Sequence, residues 1–284
     1  MSLPTDPGTD TESRRAVFFV SDGTGVTVET LGHSLLSQFE ALQFRYFIIP
    51  FVTTEEKARE AVARVSAQAA SSGLTPIVLF SLVDEGLRTI IEGSGALALD
   101  FFTMFIGRLE RELGVPSSHR LGRAHGMRDA AGYLRRIEAV NFSLATDDGL
   151  NTERYQHAQV ILVGLSRVGK TPTSLYLALQ CGIFAANYPL TENDLDSGAL
   201  PAALAEHRER LFGLSISAQR LIRIRAERRP DSPYSNPARV RREVEHCERL
   251  LRANDIPLLD TTAISVEEIA ANILYQKSLT PSLP

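Results

Sequence analysis

Val160-Ile-Leu-Val-Gly-Leu-Ser-Arg-Val-Gly-Lys-Thr171 is the stretch from which the fold of this chain is read. Val160 to Val163 is an apolar, β-branched run, and Gly164 to Thr171 reads G-x-x-x-x-G-K-T, a complete phosphate-binding loop. Pro172 to Gln180 is helix-compatible, so the motif lies between an expected strand and an expected helix. The chemistry follows from that geometry. Glycines let backbone N–H groups turn inward around phosphate oxygens, and the positive end of the helix faces the same point. Lys170 is placed to reach the terminal phosphates, and the Thr171 hydroxyl to hold a magnesium ion. Pro172 suits the first helical turn, where its missing N–H has no partner anyway. Inside the loop, Arg167 reads either as a clamp for phosphate or a partner carboxylate, or as a solvated side chain. The chain has three lysines, Lys57, Lys170 and Lys277. A chance match is therefore rarer than the roughly one in a hundred expected at average composition.

The bulk properties narrow the classes around that loop. With 284 residues and 44% apolar content, the chain is long enough for one large or two ordinary domains. A formal charge of −4 and a pI near 5.9 argue against a general nucleic-acid or membrane-surface binder. Cys181 and Cys247 are far apart and show neither metal-ligand spacing nor a disulfide framework. Cytoplasm is the expected compartment. Residues 1–15 are polar and read as a flexible tail rather than a signal peptide.

Outward from the loop, strands alternate with helices. Strands are expected at Ala16–Val20, Phe44–Phe51 and Pro76–Leu82, and helices at Val26–Phe39, at Asp84–Glu92 and from a Thr53-x-x-Glu56 capping box to Ser71. Leu97 to Phe105 is apolar and of open type. After the loop, strands are expected at Ala185–Pro189, Leu211–Ile216 and Ile256–Leu259, with helices at Leu200–Arg208, Ala218–Arg228 and Val240–Asn254. Ser265-x-x-Glu268 opens a last helix. The pattern predicts an α/β fold: an N-terminal open parallel-sheet domain, 16–145, and a C-terminal kinase-like domain, 158–284, containing the phosphate loop. The polar stretch 146–157, with Asp147-Asp148-Gly149, reads as the linker. No internal repeat is apparent.

Other candidates carry two readings each. Ser21-Asp-Gly-Thr-Gly25 follows a strand and opens a helix, but Val28 stands where a dinucleotide fingerprint has its third glycine. Asp22 is a candidate base or metal partner, or the cap of a tight turn. Asp260 closes a strand and is a candidate magnesium partner or a turn residue. Asp84 has a weaker claim of the same kind. His119 and His125 share a polar loop and match no zinc pattern. The arginines between 220 and 252 alternate with glutamates, as on solvated helices or a docking surface for an acidic partner.

Several blocks in order then resemble one family. They are Phe18-Phe-Val-Ser-Asp-Gly-Thr-Gly25, Leu31-Gly-His-Ser34, Arg135-Arg-Ile-Glu-Ala139, Asp147-Asp-Gly149, Gly164 to Ser174, Ala186-Asn-Tyr-Pro189, Leu211-Phe-Gly-Leu214 and Val266-Glu-Glu-Ile-Ala270. The chain resembles the bacterial phosphoenolpyruvate synthase regulatory proteins, relatives of the pyruvate, phosphate dikinase regulatory proteins. Asn187-Tyr-Pro189 and Arg228-Arg229-x-x-Ser232 look more like the synthase branch. The resemblance implies a bifunctional enzyme. It phosphorylates a threonine of the target with ADP as donor, and removes that phosphate with inorganic phosphate, forming pyrophosphate. It carries the nucleotide-binding segment onto Gly164, Leu165, Ser166, Arg167, Val168, Gly169, Lys170 and Thr171. Lys170 is then catalytic, Asp22 is the candidate base, and Thr171 and Asp260 are the candidate magnesium partners. The expected partner is phosphoenolpyruvate synthase, without nucleic acid or membrane, and a homo-oligomer is left open. The loop by itself suits ATP or GTP equally, so a small-molecule kinase and a non-catalytic nucleotide-dependent binding protein are the rival readings.

Overall fold

The computed structural model describes residues 14–117, 130–230 and 232–281. The chain divides into two units, Met1–His125 and Gly126–Pro284, each holding a four-stranded parallel sheet, as the alternation predicts. Residues 1–13 of the expected tail and the loop of His119 and His125 lie outside the described residues.

Unit 1 runs β1 (Arg15–Ser21), α1 (Val26–Leu36), β2 (Phe44–Ile49), α2 (Glu55–Ser72), β3 (Ile77–Ser81), α3 (Glu85–Glu92), β4 (Leu97–Asp100) and α4 (Phe101–Leu113), with strand order β2-β1-β3-β4. Ala16, Phe18 and Val20 of β1 pack with Ala58 and Val65 of α2 and Leu87 and Ile91 of α3. Val17 and Phe19 pack on the other face with Val28, Leu36 and Phe101. Burial on both faces explains why β1 is apolar at every position from Ala16 to Val20 instead of alternating. The expected box at Thr53 does not form, and a simple cap one residue later replaces it. Thr54 is the cap, its hydroxyl accepting from Lys57 N at 3.3 Å, because either of two adjacent threonines can cap the helix. The open stretch Leu97 to Phe105 splits at Asp100. Its carboxylate accepts from Phe102 N at 2.9 Å and Thr103 N at 3.2 Å, which ends a strand and starts a helix.

Unit 2 runs α5 (Ala130–Ala145), β5 (Val160–Gly164), α6 (Lys170–Cys181), β6 (Ala185–Pro189), α7 (Glu192–Ser197), α8 (Ala202–Ala205), β7 (Leu211–Ser215), α9 (Ala218–Arg228), α10 (Pro237–Ala253), β8 (Leu258–Asp260) and α11 (Val266–Gln276), with order β6-β5-β7-β8. The division falls before α5, not at 146. Phe142 joins the core of this unit, and Ser143 Oγ donates to Ala185 O at 2.7 Å. Nor is 146–157 a free linker. It forms two short 3-10 turns that bury Tyr155, whose hydroxyl donates to Asn187 O at 3.1 Å. Its polar groups read as solvated in sequence but bond into the protein. The expected helix from Leu200 to Arg208 shrinks to α8, and α7 precedes it, opened by a Thr191–Asp194 capping box.

Although the sequence shows no repeat, both sheets have the order second-first-third-fourth. The connections leave the central first strand in opposite directions, so a crevice opens beyond the carboxyl ends of the first and third strands. Ser21–Gly25 occupies that place in unit 1, and the phosphate loop occupies it in unit 2. Among the described residues no helix is long and apolar enough to cross a membrane.

Candidate active site

The loop is shaped by two glycines and one strained residue. A Cβ on Gly164 would lie 2.3 Å from the Leu214 carbonyl oxygen, so nothing larger than hydrogen fits between β5 and β7. Gly164→Ala is expected to destabilise unit 2 by about 2–3 kcal/mol, the cost of overpacking a tight core; denaturant unfolding measures it. Arg167 and Gly169 have φ of 80° and 97°. For arginine this backbone costs about 1–3 kcal/mol, strain of the kind kept at ligand sites. The turned backbone aims successive N–H groups inward. Gly169 caps α6 without a side-chain hydrogen bond, so the first-turn amides of that helix are left for an anion.

Lys170 is 4% exposed, and its Nζ donates to Leu165 O at 2.8 Å. Burial lowers its pKa to about 8, against the pull of Asp148, Cys247 and Asp147 toward the charged form. A base whose folded pKa is depressed binds fewer protons folded than unfolded. Below pH 8 the full burial penalty is therefore present. It is relieved as pH rises from about 8 to the ordinary 10.5.

Asp147 organises the other side. Its Oδ1 accepts from Thr171 Oγ1 at 2.8 Å and from Asn187 Nδ2 at 2.6 Å. Asn187, fully buried on β6, also accepts from Asp148 N at 3.0 Å. The turn 147–149, the loop and β6 thus meet at one carboxylate. Asp148 beside it is exposed, in a left-handed backbone with φ 50°. Neither aspartate was singled out as a functional side chain from sequence, where both read as a turn. The available signal was Asn187 in an otherwise apolar strand, since a buried amide needs polar partners.

Asp22 belongs to unit 1, where its Oδ2 accepts from Val83 N at 2.7 Å; it does not cap α1, which starts after Gly25. Burial raises its pKa, against the backbone bond from Val83. It lines an open cleft of about 700 Å³ with Thr53, Asp84 and Arg88. Asp84 caps α3 through Leu87 N at 2.9 Å. Asp260 is exposed, and its carboxylate accepts from Thr262 N at 2.8 Å as a turn residue. Its neighbour Thr261 is the one that touches the loop, donating to Val168 O at 3.1 Å.

A strand-loop-helix phosphate site paired with a carboxylate on the loop threonine is the arrangement of a phosphoryl-transfer enzyme. A family model described as kinase/pyrophosphorylase matches residues 17–274. The chain belongs to the kinase/pyrophosphorylase family. The match to the kinase/pyrophosphorylase model covers both units, the Ser21–Gly25 turn and the loop included. A protein of Alcanivorax borkumensis, provisionally named phosphoenolpyruvate synthase regulatory protein, is 50% identical across 94% of this chain and 98% of its own length. Proteins with the same name from Marinobacter nauticus and Alkalilimnicola ehrlichii are 48% and 49% identical, covering 94% and 95% of this chain and 98% of each relative.

Proposed function

We propose that this chain is a bifunctional regulator of phosphoenolpyruvate synthase, using ADP to phosphorylate a threonine and inorganic phosphate to remove that phosphate. The observation that carries the reading is the cluster of Lys170, Thr171, Asp147 and Asp148 at the mouth of a complete phosphate loop. The relatives' names supply the protein substrate, and the family resemblance supplies the donor.

In the forward direction the loop amides and Lys170 hold the β-phosphate. The target threonine oxygen attacks that phosphorus, the bond to the α-phosphate oxygen breaks, and AMP leaves. Asp148, exposed and the carboxylate that most strongly favours the charged form of Lys170, takes the hydroxyl proton. In the reverse direction a phosphate oxygen attacks the phosphothreonine phosphorus, and threonine leaves with a proton returned from Asp148. The products are threonine and pyrophosphate. The Thr171 hydroxyl and the Asp147 carboxylate are hard oxygen donors 2.8 Å apart and fit a magnesium ion, which would neutralise charge on the phosphates.

Incubation with purified phosphoenolpyruvate synthase and either ADP or ATP, read by mass spectrometry for phosphothreonine, tests the proposal. Modification with ADP supports it. Modification with ATP alone overturns the donor, and no modification with either overturns the enzyme reading. The loop also predicts a pH effect. Charged Lys170 is the form that binds phosphate, so ADP affinity falls by up to about tenfold per pH unit above 8. Titrations between pH 7 and 10 check this, and Lys170→Met should flatten the slope.

A further inference from the structure

Ser166 of the loop is held from outside the loop. Its Oγ shares a hydrogen bond of 2.9 Å with the Tyr234 hydroxyl, which lies in the connection between α9 and α10. The Tyr234 ring is itself fixed. The guanidinium carbon of Arg225 lies 4.4 Å from the ring centroid, and Arg225 Nη1 donates to Tyr234 O at 3.3 Å. Arg225 is 2% exposed, unlike the exposed Arg223 and Arg228 of the same helix. Glu243 of α10 balances its charge at 2.6 Å and is in turn held by Arg239 at 2.8 Å. Arg225 Nε is buried with no hydrogen-bond partner among the described residues.

Burying an arginine with one orphaned donor is costly. Its contacts tie α9 to Glu243 of α10 and fix the plane of Tyr234, and so the position of its hydroxyl. We infer that Tyr234 is a positioning residue of the phosphate loop, setting Ser166 for nucleotide binding, with Arg225 and Glu243 as its mount. The ligand class is a nucleoside diphosphate, and this step rests on the reading of the loop as a nucleotide site. The cation–π contact and the charged pair are both shielded from solvent, where such interactions are strongest. Ser166 follows directly on Leu165, the residue whose carbonyl holds Lys170, so a shift at Ser166 is passed to the lysine.

A double-mutant cycle on the full chain tests this. ADP affinity is measured by calorimetry for wild type, Tyr234→Phe, Ser166→Ala and the double variant, with thermal melting of each. Phenylalanine keeps the ring over Arg225 and removes only the hydroxyl, so the melting temperature should hold. Each single change is expected to weaken ADP binding about 3- to 10-fold, the worth of one hydrogen bond. The double variant should be no weaker than the weaker single, because both remove the same contact. Wild-type affinity in Tyr234→Phe, or losses that multiply in the double variant, would overturn the inference and leave the nucleotide site standing. Wild type failing to bind ADP would overturn the nucleotide reading and this inference together.

Discussion

Lys170→Met stops phosphoryl transfer while the protein stays folded. The lysine is the cation that the G-x-x-x-x-G-K-T pattern specifies, and removing a preorganised charge of this kind lowers turnover by about 10³-fold or more. Methionine matches the length and volume of the buried stem. It forfeits the bond to Leu165 O, worth about 1 kcal/mol. It also sheds a burial penalty of about 3 kcal/mol, from a pKa lowered from 10.5 to about 8. The melting temperature at pH 7 should therefore be unchanged or higher. Phosphothreonine formation and a thermal melt on the same sample check both halves. A variant that transfers at the wild-type rate would remove the loop from the mechanism.

Asp147→Asn is the second large effect. Asparagine can turn its carbonyl oxygen toward Thr171 and Asn187 and keep both acceptor bonds. What it loses is the negative charge beside the loop threonine. Transfer should fall by about 10²-fold or more with no change in melting. Asp147→Ala, by contrast, leaves the buried Asn187 amide without this acceptor and should lower stability by about 1–3 kcal/mol. Equal loss of stability in both variants would mean that Asp147 is structural and not part of the chemistry.

These two residues also mark how far the sequence could be read. The loop is contiguous, and its shape depends on local rules. A β-branched run, a glycine at each end and a lysine at the helix start give β5 and α6 nearly to the residue. Asp147 lies 24 positions from Thr171 and meets it directly in the fold, where Asn187 of β6 bonds the same carboxylate oxygen. In one dimension its Asp-Asp-Gly setting is the composition of a solvated turn, so the whole stretch read as a linker. Arg225 was hidden differently, among arginines of identical chemistry. Its spacing of four from the buried Leu221 puts both on one inward face, a periodicity that counts for more than charge. The four-residue α8 and the one-residue shift at Thr54 reflect short elements whose limits are set by packing and cap geometry, not propensity.

Two of the loop's side chains are already spoken for in this structure. Lys170 is bonded to Leu165 O and Thr171 to Asp147. A ligand engaging these side chains exchanges one hydrogen bond for another, and each exchange gains less than a new bond would. A lone small anion, with few oxygens to offer, recovers little from such trades. A nucleoside diphosphate presents two phosphates at once and reaches the free amides of α6 as well. The protein thus screens occupants by how many contacts they complete together, which favours the nucleotide over the simple ions that surround it in far greater number.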